Sequence, residues 1–293
     1  MSKPKGNTMK TLLSFALLFC TLPLSAFQES KPDTTQPVGP WKHNLVSALM
    51  FSQVSYTNWV QGGQNSLAYA VTADGKTEWD IPTMNWANTY KLAFGQTRLG
   101  DQGLRKTDDK IDLQSVYTYK LGEYVNPYAG ATMKTQFAEG IQYNADGTGT
   151  VVSKFFDPAY LTQSVGFGYQ PIPEVKTRLG AALREVITSR FVTYADDPKT
   201  AVVEKINTDG GLESITEVEW KFEENVLFTS KIELFARFEQ LDDFVLRGDN
   251  TLAVKVSKYI TINLNVQFIN EKQVSPRTQV KETLAFGLSY TLL

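Results

Sequence analysis

The segment Ile260 to Phe268 reads Ile-Thr-Ile-Asn-Leu-Asn-Val-Gln-Phe, apolar and polar residues alternating without a break. A period of two puts the apolar side chains on one face of an extended strand and the amides and hydroxyl on the other. The same alternation recurs along almost the whole chain after residue 44. It also ends the chain, with Val280, Leu284, Phe286, Leu288, Tyr290 and Leu292 on one side of the last segment. Such two-faced strands, one of them terminal, point to an all-β fold, a transmembrane antiparallel up-and-down β-barrel rather than a soluble sandwich.

The start of the chain has a different character. Lys3, Lys5 and Lys10 precede an apolar run, Leu12 to Leu24, which ends in Ser25 and Ala26. These are the features of a secretory signal peptide over residues 1–26, with a run too short to span a bilayer comfortably. Residues 27–40, rich in Pro, Thr and Lys, read as a periplasmic tether, and 41–293 as the barrel. Cys20 is the sole cysteine and falls in the leader. Phe19 before it is too large for a usual lipoprotein cleavage site. The exported chain therefore has neither disulfides nor thiolates for nucleophilic or metal chemistry. Removing the leader takes three from the 29 basic side chains and none from the 31 acidic ones, so the net charge falls from -2 to about -5. That balance leaves no basic footprint for nucleic acid. No later segment approaches eighteen apolar residues, which excludes a helical membrane protein.

Period-two runs and turn residues together predict about twelve strands, near 44–56, 65–78, 83–97, 107–120, 125–142, 159–170, 175–190, 213–222, 226–239, 249–257, 260–270 and 279–292. Links after even strands are short and links after odd strands long, the pattern of periplasmic turns and outer loops with both termini periplasmic. Most aspartates, among them Asp101, Asp109, Asp157, Asp197, Asp242, Asp243 and Asp249, fall in or beside the long links. Solvated loops favour Asp in any case; the sharper reading has acidic outer loops holding divalent cations shared with lipopolysaccharide phosphates. The tract Asn144 to Gly149 lacks the downstream Glu of a calcium loop and reads as a hairpin tip.

Face assignment follows from cost. A Lys or Arg facing lipid at mid-depth costs about 2 to 4 kcal/mol, so the charged alternate of each strand points inward. The inward list is Lys91, Asp112, Lys134, Lys176, Arg178, Arg184, Glu217, Glu219, Lys221, Lys231, Glu233, Arg237, Glu239, Lys255 and Lys281, a lumen that leans basic. The strand at 260–268 adds a neutral stripe, Asn263, Asn265 and Gln267. Two explanations stand side by side: opposite charges pair and fill a narrow barrel, or surplus cations line a wet channel that favours small anionic solutes.

Trp79, Trp86, Tyr117, Tyr119, Tyr124, Tyr169, Trp220, Phe222, Tyr259 and Tyr290 lie near strand ends, mostly toward the short turns, as an interfacial girdle requires. Chemistry is hard to find. The sole histidine, His43, sits beside the tether at the periplasmic edge, a poor place for the general base of a membrane-embedded hydrolase. Glu217 and Glu219 share a face, but Lys221 continues it and suggests an ion-pair ladder rather than an acid/base pair. Gly166 and Gly168 lie within a strand and cradle no phosphate. No cofactor is expected.

Gly62-Gly63 can supply the positive backbone dihedrals of a tight reversal, with Trp59 as its interfacial anchor. Trp59 to Gly63, Asn65-Ser66 and the stretch Arg105 to Asp109 after a long strand resemble an uncharacterised outer-membrane β-barrel family common in Bacteroidota. The resemblance covers nearly the whole exported chain and implies location and fold but no activity and no site residue. The expected partners are outer-membrane lipid and lipopolysaccharide, the outer-membrane insertion machinery and small anionic solutes; the oligomeric state stays open. The functional reading is a non-enzymatic barrel of the Gram-negative outer membrane, either a narrow channel or a closed scaffold with binding loops. An outer-membrane hydrolase and a secreted soluble β-protein are the alternatives.

Overall fold

The structure, a computed structural model, describes residues 41–57, 60, 63–144, 147–197, 200–272 and 274–291. The leader and tether, together with Trp59, Gly62, Asp146 and Leu292, lie outside the described residues. Fourteen strands form among those described: β1 (Trp41–Val54), β2 (Ser66–Ile81), β3 (Met84–Leu99), β4 (Arg105–Tyr119), β5 (Val125–Thr135), β6 (Gly140–Tyr143), β7 (Gly149–Ser153), β8 (Ala159–Ile172), β9 (Val175–Ile187), β10 (Ile206–Glu223), β11 (Val226–Arg237), β12 (Gln240–Lys255), β13 (Ile260–Asn270) and β14 (Gln279–Thr291). Twelve make one closed antiparallel barrel in which each strand pairs with its sequence neighbours and β14 returns to β1; β6 and β7 pair only with each other. Closure is made by the register Val46 opposite Thr291 through Met50 opposite Gly287. No helix among the described residues is long and apolar enough to cross a membrane.

Three boundaries differ from expectation by more than three residues. The fifth strand stops at Thr135 instead of 142, because the carboxylate of Asp109 accepts the backbone N–H groups of Phe137 (2.6 Å) and Ala138 (3.0 Å) and turns the chain out of the barrel. The alternation seen at 140–142 belongs to the β6–β7 hairpin, whose tip is closed by Asn144 N–H to Thr148 O at 2.8 Å. The strand expected from 213 begins at Ile206, and that expected from 249 begins at Gln240, so 240–248 is ladder rather than loop. Gly248 continues this ladder, the Phe268 ring of β13 filling the place where its Cβ would be. The link after β11 is accordingly short, and Asp209, Asp242, Asp243 and Asp249 are strand residues rather than members of an acidic loop end. His43 likewise lies within β1, against Thr77 at 3.2 Å, rather than ahead of it.

The barrel is apolar outside and polar inside. Phe167 is 62% exposed and Val280 68%, with Phe51, Val165, Leu179, Leu284 and Phe286 similarly bare, whereas Asp112, Gln114, Arg178, Arg184 and Glu213 are buried. Water would penalise that outer belt at roughly 25 cal/mol per Å2, and hydrocarbon would not. At the short-turn end aromatic rings gather: Trp41 lies 5.3 Å from Trp79 and 5.5 Å from Trp86, Trp220 stacks on Phe222 at 5.6 Å, and Tyr259 on Tyr290 at 6.4 Å. Polar side chains on the outer face satisfy one another. The Ser230 hydroxyl donates to Asn250 Oδ1 at 2.7 Å, and Asn250 Nδ2 donates to the Val266 carbonyl at 3.2 Å.

Close strand contact limits side chains at one point of the wall. Gly166 and Gly180 face each other across β8 and β9, and Tyr128 lies over them from β5. A Cβ on Gly180 would meet the Val165 carbonyl oxygen and stand 2.8 Å from the Tyr128 hydroxyl. Gly180→Ala should therefore destabilise the barrel by about 1 to 3 kcal/mol through overpacking. Thermal unfolding in detergent checks this, with Gly168→Ala, where the nearest atom would be 3.7 Å away, expected to leave the midpoint unchanged.

Candidate functional site

The lumen of this barrel is crossed by ion pairs. Inward side chains of β4 (Lys110, Asp112, Gln114) meet those of β5 (Lys134), β11 (Lys231) and β12 (Asp249). Lys110 Nζ lies 2.6 Å from Asp249 Oδ2, although β4 and β12 stand on opposite walls of the twelve-strand ring. Opposite walls can be bridged this way only where they approach within two side-chain lengths, so the barrel is pinched here. Asp249 also has Lys91 at 3.8 Å and accepts from Asn265 Nδ2 at 2.7 Å. Lys134 bonds to Glu233 and stands 3.9 Å from Asp112. Lys231 reaches Glu233 at 2.9 Å and donates to Gln114 Oε1 at 2.9 Å, while Gln114 Nε2 donates to Glu217 Oε1 at 3.1 Å. Charges withdrawn from water are tolerated only when paired and hydrogen-bonded in this manner.

A second closure lies toward the long links. Glu271, the first residue after β13, turns inward and is held by Arg184 at 2.6 Å and Arg247 at 2.7 Å, its own side chain only 5% exposed. Tyr160 completes the clamp, with Arg247 4.8 Å and Arg184 5.4 Å from its ring centroid. Burial alone would raise the Glu271 carboxyl, but the two guanidiniums outweigh it and hold the group at about 2. Between the closures a void of about 40 Å3 is lined by Lys134, Tyr160, Arg184, Glu213, Glu233 and Arg247. That is room for a water or two.

On the other side of the ion-pair layer the lumen widens into a vestibule of about 570 Å3 that opens among the short turns. Six basic and six acidic side chains line it, including Lys76, Lys176 and Arg178 against Glu78, Glu217 and Glu219. Lys120 and Asp80 pair at its rim at 2.6 Å. Arg178 is 9% exposed and lies 5.6 Å from the Tyr128 ring centroid.

The residues expected along the lumen therefore separate into groups. Lys91, Lys134, Lys231, Glu233 and Asn265 join the cross-lumen layer, and Gln267 supports it by donating to Asn265 Oδ1 at 2.9 Å. Lys176 and Arg178 belong to the vestibule and Arg184 to the clamp. Arg237 is taken up by Asp243 at 2.5 Å. Lys255 stands opposite Thr261 near the short-turn end, and Asn263 between Ala253 and Ala285. Lys110, Gln114, Arg247, Asp249 and Glu271 were missed. Lys110 follows Asp108 and Asp109, a run of three charges in which alternation gives no face, Arg247 falls in the expected link 240–248, and Asp249 stands at that link's edge among the loop aspartates. The five carry two positive and two negative charges and so leave the basic lean of the inward list unchanged, while the vestibule lining is itself balanced and Asp249 and Glu271 each engage two cations. Two of the aspartates beside the long links have partners within the protein: Asp157 accepts from the N–H groups of Ser189 and Arg190, and Asp108 pairs with Lys281 at 2.8 Å. Among the described residues no three His, Cys, Asp or Glu side chains group to hold a metal.

A family model described as a protein of unknown function (DUF3078) matches residues 51–141, from β1 into β6 and less than half of the chain. No curated protein matches. Among solved structures the chain is similar to an outer-membrane channel from Pseudomonas putida F1 (11% identity, 87% of this chain and 96% of that one, TM-score 0.39). It is also similar to the NanC porin (10%, 84% and 97%, 0.38) and to the translocator domain of the autotransporter NalP from Neisseria meningitidis (10%, 85% and 87%, 0.36).

The clamp has a definite pH signature. A carboxyl lowered from 4.5 to about 2 contributes stability on the order of 3 kcal/mol above its unfolded value, and loses it as pH falls toward 2. The difference in thermal unfolding between the wild type and Glu271→Gln should be constant from about pH 8 to 5, shrink below about pH 4 and vanish near pH 2.

Proposed function

We propose that the chain is a non-enzymatic outer-membrane β-barrel acting as a narrow, charge-gated conduit, with a solute vestibule on its periplasmic side. In this reading residues 1–26 are a cleaved leader, 27–40 a tether, and the short turns and both termini are periplasmic. The bare apolar belt and the aromatic ring at the short-turn end support a membrane setting over a soluble β-protein. The outward, lipid-level position of the sole histidine, His43, speaks against a hydrolase site. Lipid, lipopolysaccharide and the insertion machinery are the partners this setting implies.

The observation that carries the reading is the Lys110–Asp249 bridge between opposite walls. Ions cross a plane so bridged only by exchanging with the paired charges or when the pairs part, which gives high resistance and selectivity together. A preference for small anionic groups is retained for the vestibule alone, where Arg178 and Lys176 face the cavity.

Planar-bilayer recording tests this. The wild type should conduct weakly, and the double variant Lys110→Ala/Asp249→Ala should conduct several-fold better. Equal conductance in the two would refute the gate, and silence in both would leave a closed scaffold. Heat-modifiable gel migration of the same samples should show a folded barrel in each; a protein that runs identically boiled and unboiled is no stable barrel.

A further inference from the structure

The vestibule is unequal from floor to mouth. Arg178, at the floor, has an Nη2 that is enclosed yet without a hydrogen-bond acceptor; Glu217 Oε1, at 3.7 Å, is close enough for attraction and too far for a bond. A buried guanidinium nitrogen in that condition forgoes a charge-assisted hydrogen bond, the stronger kind. Lys176, on the same inward face of β9 two residues nearer the mouth, lines the cavity and has no carboxylate within 4 Å among the described residues. Nearer the rim stand Glu174, in the β8–β9 turn, and Glu219, whose N–H bonds the Glu174 carbonyl at 2.9 Å; neither carboxylate is paired among the described residues.

We infer that the vestibule binds a small zwitterion, with its carboxylate on Arg178 and Lys176 and its ammonium toward Glu219 and Glu174. The inference rests on the conduit reading for its biological sense and on the geometry for its chemistry. A carboxylate accepts from a planar guanidinium in a fixed geometry and would supply the acceptor Nη2 lacks. A simple anion would leave the rim carboxylates uncompensated, and a simple cation would be repelled at the floor. A cavity of about 570 Å3 lies in the range of roughly 300 to 1,000 Å3 usual for small-molecule sites, large enough for an amino acid or dipeptide.

Calorimetric titration of the folded barrel in detergent, with alanyl-alanine, acetate and methylammonium as probes, tests the assignment. The dipeptide should bind, Arg178→Gln should weaken it at least about tenfold, and Glu219→Gln should weaken it less. Lys255→Gln, away from the cavity, should leave it unchanged. Heat-modifiable migration confirms that each variant is folded. Absence of dipeptide binding, acetate binding as tightly as the dipeptide, or a folded Arg178→Gln protein with unaltered affinity would each overturn the proposal. Bilayer conductance separates the two readings: a protein that binds the dipeptide but never conducts keeps the site and loses the conduit, and one that conducts without binding does the reverse.

Discussion

Every other property of this molecule depends on the ladder between β14 and β1. Without it the sheet would have two edges whose N–H and C=O groups no lipid could satisfy, at several kcal/mol for each group left bare in hydrocarbon. With it the strands form a wall that needs no apolar core. No large side chain among the described residues is completely buried, and the apolar ones face outward. The Ser230–Asn250 pair is the same rule on a smaller scale, a polar patch on the outer wall that completes its own hydrogen bonds before lipid reaches it.

The closed wall turns the interior into a place where charge must be matched. A salt bridge on a protein surface is worth little, and one in a confined lumen is held by the penalty for leaving either partner alone. This is why bridges close the lumen in two layers, with a small void between them and the vestibule beyond the first. Lys110, Asp249, Lys134 and Glu233 tie walls that the fold holds apart, and Arg184, Arg247 and Glu271 tie a connecting segment to the wall. The vestibule, outside both layers, is where unmatched groups survive.

Barrel, strand number and the two faces were legible in the sequence because an apolar outer wall imposes a rule that each strand obeys by itself. Phe228, Ile232 and Leu234 could be sorted from Lys231 and Glu233 without knowing any neighbour. The contents of the lumen depend on relations between strands, and periodicity is silent about those. Nothing near Lys110 announces Asp249, and nothing in β13 shows that the residue after it turns back inside. The place of 240–248 in the wall is of the same kind, since Gly248 is fitted to Phe268 on the adjacent strand. The hairpin at 140–153 kept its strand character and lost its place in the barrel because one carboxylate, Asp109, captures the chain on its way out.

The bridges across the lumen join partners far apart along the chain, 139 residues for Lys110 and Asp249 and 173 for Lys281 and Asp108. No hairpin contains such a pair. While the sheet is open, those charges remain hydrated and do nothing for one another. They engage together when the last strand meets the first, so that the interior electrostatics reward only the finished ring and give partly assembled sheets no comparable foothold.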